Sequence, residues 1–101
     1  MPLTQKQKDE VFAGAIKKWG IHIQTLTAAE EAAEFIQALS KYTRKPTPEN
    51  LAHLAKEIAD CRNMLGQIEW LYNIQRECAL QEEIKLNRTM ARIAGVPLVE
   101  G

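Results

Sequence analysis

"TRKPTPENLAHLAKEIAD", residues 43–60, holds the sharpest break in the chain and two oddly placed acids. Pro46 cannot continue a helix, because it lacks the N–H and its ring clashes with the preceding turn. Thr47 then supplies an N-cap, and Pro48 a favoured first helical position. In a helix that starts there, Leu54, Ile58, Cys61, Met64, Leu65 and Ile68 form one apolar stripe at about 100° per residue. Glu57 falls inside that stripe, between Leu54 and Met64 in projection, with Asp60 at its margin. Burying an unpaired carboxylate costs several kcal/mol or forces a proton onto it. Two acids one turn apart on a core-facing stripe therefore need a reason.

The rest of the chain is punctuated for helices as well. Thr4 with Gln7 fits a capping box, Lys17 and Lys18 lie in a last turn, and Gly20 follows as a stop, which predicts a first helix over residues 5–19. "IHIQTL", residues 21–26, alternates like an extended segment but has no partner strand, so it reads as a connector. Thr27 with Glu30 forms a second capping box, predicting a helix from there to about Tyr42. No proline interrupts residues 49–95, too long a run for one helix in a small domain, and Asn73 is the best internal stop because Asn tolerates the left-handed cap conformation. Helices are thus predicted over residues 48–72 and 75–94, the last ended by Gly95 and Pro97. The expectation is an all-α, four-helix bundle forming one domain over residues 1–101.

Composition bounds what such a domain can do. The chain has 101 residues, 46% of them hydrophobic and 26% charged, with a formal net charge of zero. That balance is globular and lacks the basic excess of a nucleic-acid binder. A domain this short hides only about 60–65% of the surface its unfolded chain exposes, which makes self-association a plausible source of stability. No apolar run approaches the roughly 18 residues of a membrane span, and "MPLTQKQKDE" has no signal-peptide core. Cys61 and Cys78 stand in no metal or redox spacing and are expected to be reduced, as in a cytoplasmic protein.

The acids of the opening stretch have counterparts upstream. "EEAAEF" places Glu31 and Glu34 three residues apart, the spacing of Glu57 and Asp60. A short connection favours antiparallel packing of the two helices, and face to face the two pairs can converge four carboxylates. Such a cluster repels itself unless it holds protons or a cation. All-oxygen ligands suit a hard ion, magnesium or manganese, rather than zinc. Glu30 has a sufficient task in the capping box, Glu31 and Glu34 would be ordinary on a solvated face, and Glu57 could instead pair with a buried Lys or Arg. A di-iron site would need Glu-x-x-His, and neither His22 nor His53 follows a Glu by three.

"EEAAE" followed by "EIAD" resembles the EExxE…ExxD signature of the all-α nucleoside triphosphate pyrophosphohydrolases, the MazG-like family. "KWGIHIQTLTAAEEAAEFIQALSKYTR", "LAHLAKEIADCRNML" and "EIKLNRTMARI" resemble that family's successive blocks over roughly residues 15–94. The resemblance implies a Mg2+-dependent hydrolase that splits a nucleoside triphosphate between its α- and β-phosphates. It also implies metal ligation by Glu31, Glu34, Glu57 and Asp60, with Glu30 orienting a neighbour or a water; a ligand carboxylate not fully used by the metal could take the proton of the attacking water, and Glu34 is the candidate. The family holds the triphosphate tail with basic residues in the last block, where Lys85 and Arg88 lie on one helix stripe with Arg92; near a C-terminus such cations also suit the helix dipole. Lys41 and Arg44, placed just past the second helix, are a weaker pair.

The family reads the base partly with the segment before EExxE, which makes Trp19, His22 and Gln24 candidates, although a Trp is more often core than base platform. Two departures leave substrate choice open: there is no long insertion to enclose a base, and Lys56 stands where many relatives carry another acid. Family members assemble as homodimers or homotetramers, and the apolar faces of the first and last helices agree with a homo-oligomer. Two alternatives remain: a non-catalytic helical oligomerisation module, and a phosphohydrolase that releases orthophosphate.

Overall fold

The computed structural model describes residues 1–95, so Pro97 and the tail lie outside the described residues. The chain forms four helices: α1 (Gln5–Trp19), α2 (Ile21–Arg44), α3 (Pro48–Tyr72) and α4 (Gln75–Ile93). No strand occurs among the described residues. Local chemistry sets most of the boundaries. Thr4 and Gln7 make the reciprocal capping box of α1, with Thr4 Oγ1 accepting from the Gln7 N–H at 3.1 Å and Gln7 Oε1 from the Thr4 N–H at 2.9 Å. Thr47 caps α3 by accepting from the Asn50 N–H at 3.2 Å, with Pro48 in the first turn. Asn73 ends α3 in the left-handed conformation, φ 53° and ψ 47°.

Helix α2 departs from the sequence expectation. "IHIQTL" is not a connector but the first turns of α2, and Thr27 caps nothing: its hydroxyl donates to the Ile23 carbonyl at 2.8 Å, one turn back within the helix. Gly20 alone separates α1 from α2, at φ 85° and ψ 158°, a region open essentially to glycine. With glycine making the break, no capping side chain was needed to start α2. The least exposed positions of α2, among them Gln24, Glu31 and Ala38, recur every seven residues, a helical period that the alternation of six residues conceals. At its far end α2 runs past Tyr42 to Arg44, so Lys41 and Arg44 lie in its last turn.

The α2–α3 pair is the body of the molecule. Gln24 meets Gln67 near one end, Glu31 meets Asp60 in the middle, and Lys41 shares a cavity with His53 near the other, so the helices run antiparallel. Asn50 closes the turn between them, its side-chain amide donating to the Lys45 carbonyl at 2.9 Å. Helix α1 packs across both: Gly66 leaves room for the Phe12 ring, whose edge would stand 3.2 Å from a Cβ there, and Phe12 lies 6.5 Å from the Trp70 ring. Among the described residues, helix α4 touches α3 alone. The four expected helices are present but do not close into a bundle within one chain, and the radius of gyration is 17.0 Å, against about 13 Å for a compact domain of this length.

The stripe of α3 is buried much as its spacing predicts, with Leu54 and Glu57 inside and Ile58, Cys61, Met64 and Ile68 half-buried. Leu65 is the exception: it projects between Leu54 and Ile58 and is nonetheless exposed. Gln67 takes the inner place instead. Cys61 and Cys78 are free thiols. No described helix is long and apolar enough to cross a membrane.

Candidate metal centre

Midway along the α2–α3 contact, Glu31 from α2 meets Glu57 and Asp60 from α3, and one oxygen from each lies within 4.8 Å of the others. Glu57 is only 5% exposed, and Glu31 and Asp60 are half-buried. The i, i+3 spacing puts Glu57 and Asp60 on one face of α3, and the antiparallel register brings Glu31 opposite. Glu34, one turn along α2, is exposed and stands outside this trio, but it is close enough to Glu31 to raise its pKa by charge and by a side-chain hydrogen bond. The expected set of four carboxylates is thus a trio with one flanking acid.

The electrostatics of the trio are unfavourable as they stand. Burial, followed by the charges of Glu34, Asp60 and Glu57, pushes the Glu31 carboxyl above the usual carboxylate range. Glu31 Oε2 and Glu57 Oε2 are buried with no hydrogen-bond partner. The nearest basic group to Glu57 is His53, whose Nδ1 lies 3.9 Å from Oε1, so no buried Lys or Arg neutralises it. Orphaned buried acceptors are rare in folded proteins and call for an explanation. A hard divalent cation fits this donor set, since it prefers oxygen ligands and its charge would offset the mutual repulsion of the carboxylates. Among the described residues this is the single cluster of three or more acids, histidines or cysteines close enough to hold an ion.

Two cavities flank the trio. Toward the start of α2, a cavity of about 500 Å³ is walled mainly by apolar side chains, including Val11, Phe12 and Met64, with Lys8, Asn63 and the amides of Gln24 and Gln67 among them. Gln67 Nε2 donates to Gln24 Oε1 at 2.8 Å, and both residues are buried. Toward the end of α2, a cavity of about 400 Å³ is lined by Glu34, Gln37, Ala38, Lys41, His53 and Glu57.

The remaining candidates scatter. Glu30 is exposed in mid-helix and belongs to neither the trio nor a cap. Trp19 and His22 are exposed near the α1–α2 break, with Lys18 Nζ over the Trp19 ring at 5.2 Å from its centroid. Of the three base-binding candidates, Gln24 alone lines a cavity beside the trio. Lys85 and Arg88 are exposed on α4 and line neither flanking cavity. Gln67 and His53 were missed, although both carry a sequence signal: Gln67 is seven residues from Asp60 on the same stripe, and His53 is one turn before Glu57. No family model, no curated protein and no solved structure matches the chain. What the centre can do rests on its own geometry.

Proposed function

We propose that the chain is a Mg2+-dependent nucleoside triphosphate pyrophosphohydrolase of the MazG-like kind, releasing the nucleoside monophosphate and pyrophosphate. One observation carries this reading: carboxylates from two antiparallel helices meet within 4.8 Å, and the most deeply buried of them keeps an unpartnered oxygen. Glu31, Glu57 and Asp60 would hold the ion, with manganese as the alternative to magnesium. When bound, such a cation neutralises the substrate's charge, polarises the attacked phosphoryl group and makes water nucleophilic near neutral pH.

The chain's own residues supply the rest. Glu34 is exposed beside the trio and is the group free to accept the proton of the attacking water. The water oxygen bonds to the α-phosphorus, and the α–β bridging oxygen keeps the electron pair of the broken bond and departs with pyrophosphate. Glu30, exposed on α2 beside Glu31 and outside the trio, would orient a neighbour or a water rather than hold the ion. Gln24, with Gln67, lines an apolar cavity of the kind that takes a flat heterocycle, apolar walls with a few convergent polar groups.

The functional unit is proposed to be a homo-oligomer, dimer or tetramer. Leu86, Met90 and Ile93 share a face of α4 and are each more than 60% exposed, and among the described residues that helix is contacted by α3 alone. Light scattering measures the assembly directly, and a fully active monomer would refute it. The reaction is tested with a panel of nucleotides and deoxynucleotides, with and without magnesium, resolved by product chromatography. Magnesium-dependent monophosphate and pyrophosphate are expected; orthophosphate as the released product would overturn the assignment. The same exposed faces would suit a non-catalytic oligomerisation module, and no turnover of any nucleotide by an intact oligomer would favour it.

A further inference from the structure

Along the α2–α3 pair the surroundings change in a definite order, with α1 and the residues just before it walling most of the apolar end. The amide pair of Gln24 and Gln67 lies in the apolar cavity at one end, the acids in the middle, and Lys41 with His53 in the charged cavity at the other. Seven residues separate Gln24 from Glu31, and seven separate Glu34 from Lys41, so each interval spans about 10 Å of helix. A nucleoside triphosphate carries the same order of properties: flat base, scissile phosphate, anionic tail. Of the two cavities, only the charged one shares carboxylates with the acidic centre, through Glu34 and Glu57. A tail leaving the centre on that side meets Lys41 directly, whereas on the other side it would meet a largely apolar wall.

We propose that this charged cavity is the pyrophosphate subsite, with the Lys41 ammonium and a His53 ring N–H holding the β- and γ-phosphates. The substrate then lies with its base toward Gln24 and Gln67 and its tail toward the α2–α3 turn. Both residues are exposed and come from the two helices that build the centre, so the subsite is preassembled without α4. Lysine binds phosphate as a point charge with three donors, and Gln37 adds an amide on the same wall. The assignment rests on the pyrophosphohydrolase reading for its substrate, but its test does not depend on turnover.

The experiment is calorimetric titration of the full chain with inorganic pyrophosphate in the presence of magnesium, alongside the hydrolysis assay. The double variant Lys41→Gln/His53→Gln is expected to bind pyrophosphate at least about tenfold more weakly than the wild type. Its melting temperature should be unchanged because both side chains are exposed, and Lys6→Gln on α1 should bind as the wild type does. Unchanged affinity in the double variant overturns the subsite, as does a wild type that binds no pyrophosphate or a loss found only in Lys85→Gln/Arg88→Gln. A chain that hydrolyses nucleotides but keeps its affinity in the double variant breaks the subsite and spares the enzyme. A chain that turns over no nucleotide yet loses pyrophosphate binding in the double variant keeps the subsite and breaks the enzyme.

Discussion

Helices α2 and α3 embrace along most of their length, while α4 touches one neighbour and shows its apolar residues to solvent. Ordinary core logic would put the greasiest residues where packing is closest, and here the reverse holds. Among the described residues the buried ones lie in the α2–α3 pair, and four of them are polar, Gln24, Asn50, Glu57 and Gln67, against two that are apolar, Ala38 and Leu54. The exposed face of α4 carries Leu86, Met90 and Ile93. The closest contact in the chain thus encloses polar groups at some expense of stability, and apolar area that could stabilise the fold is left exposed on α4.

The contrast is broken most severely at its centre. Asp60→Asn should lower nucleotide turnover at least about a hundredfold, because replacing a ligand costs more than the 10–100-fold typical of groups that merely orient one; initial rates with saturating magnesium measure it. The stability side is tested by Glu57→Leu. Removing a buried, orphaned carboxylate should raise the metal-free stability by about 1–4 kcal/mol, read by urea denaturation, while abolishing any magnesium-induced rise in melting temperature. A loss of stability in that variant would mean that the carboxylate has a partner and that the strained centre is misread.

The α4 end is sharpened by Leu86→Glu/Met90→Glu. Charges on that face should leave the helical content intact and halve the mass seen by light scattering, since burial of like charges across an interface is strongly disfavoured. The smallest effect is expected from pH. The Glu31 carboxyl is raised above its ordinary value of 4.5, by burial first and then by Glu34, Asp60 and Glu57. The folded chain therefore binds that proton more tightly than the unfolded chain, and metal-free stability falls as pH rises from 4.5 through the raised value. Melting scans across this window should show the decline, and saturating magnesium should flatten it; a metal-free slope of the opposite sign would contradict the crowding of the trio.

Much of this was legible in the letters, and unevenly so. The starts of α1 and α3 and the end of α3 follow from Thr4, Thr47 with Pro48, and Asn73, whose effects reach no further than a turn of helix. The place of Glu57 within the buried stripe follows from helical period. The start of α2 was misread because Thr27 and Glu30 offered a plausible cap, and a Thr hydroxyl satisfies itself equally well on the carbonyl one turn back.

By itself, then, the sequence determined four helices, most of their limits and the presence of acids on inward faces, since caps and periodicity are local properties of the chain. Only tertiary structure decided which acids meet. The antiparallel register chose Glu31 over Glu30, joined Gln24 to Gln67, and set Lys41 with His53 beside the centre while Lys85 and Arg88 stayed on a helix apart. The physical reason is that a single helix specifies the angle at which a side chain leaves its axis, whereas the neighbour it finds there depends on how far the facing helix has slid.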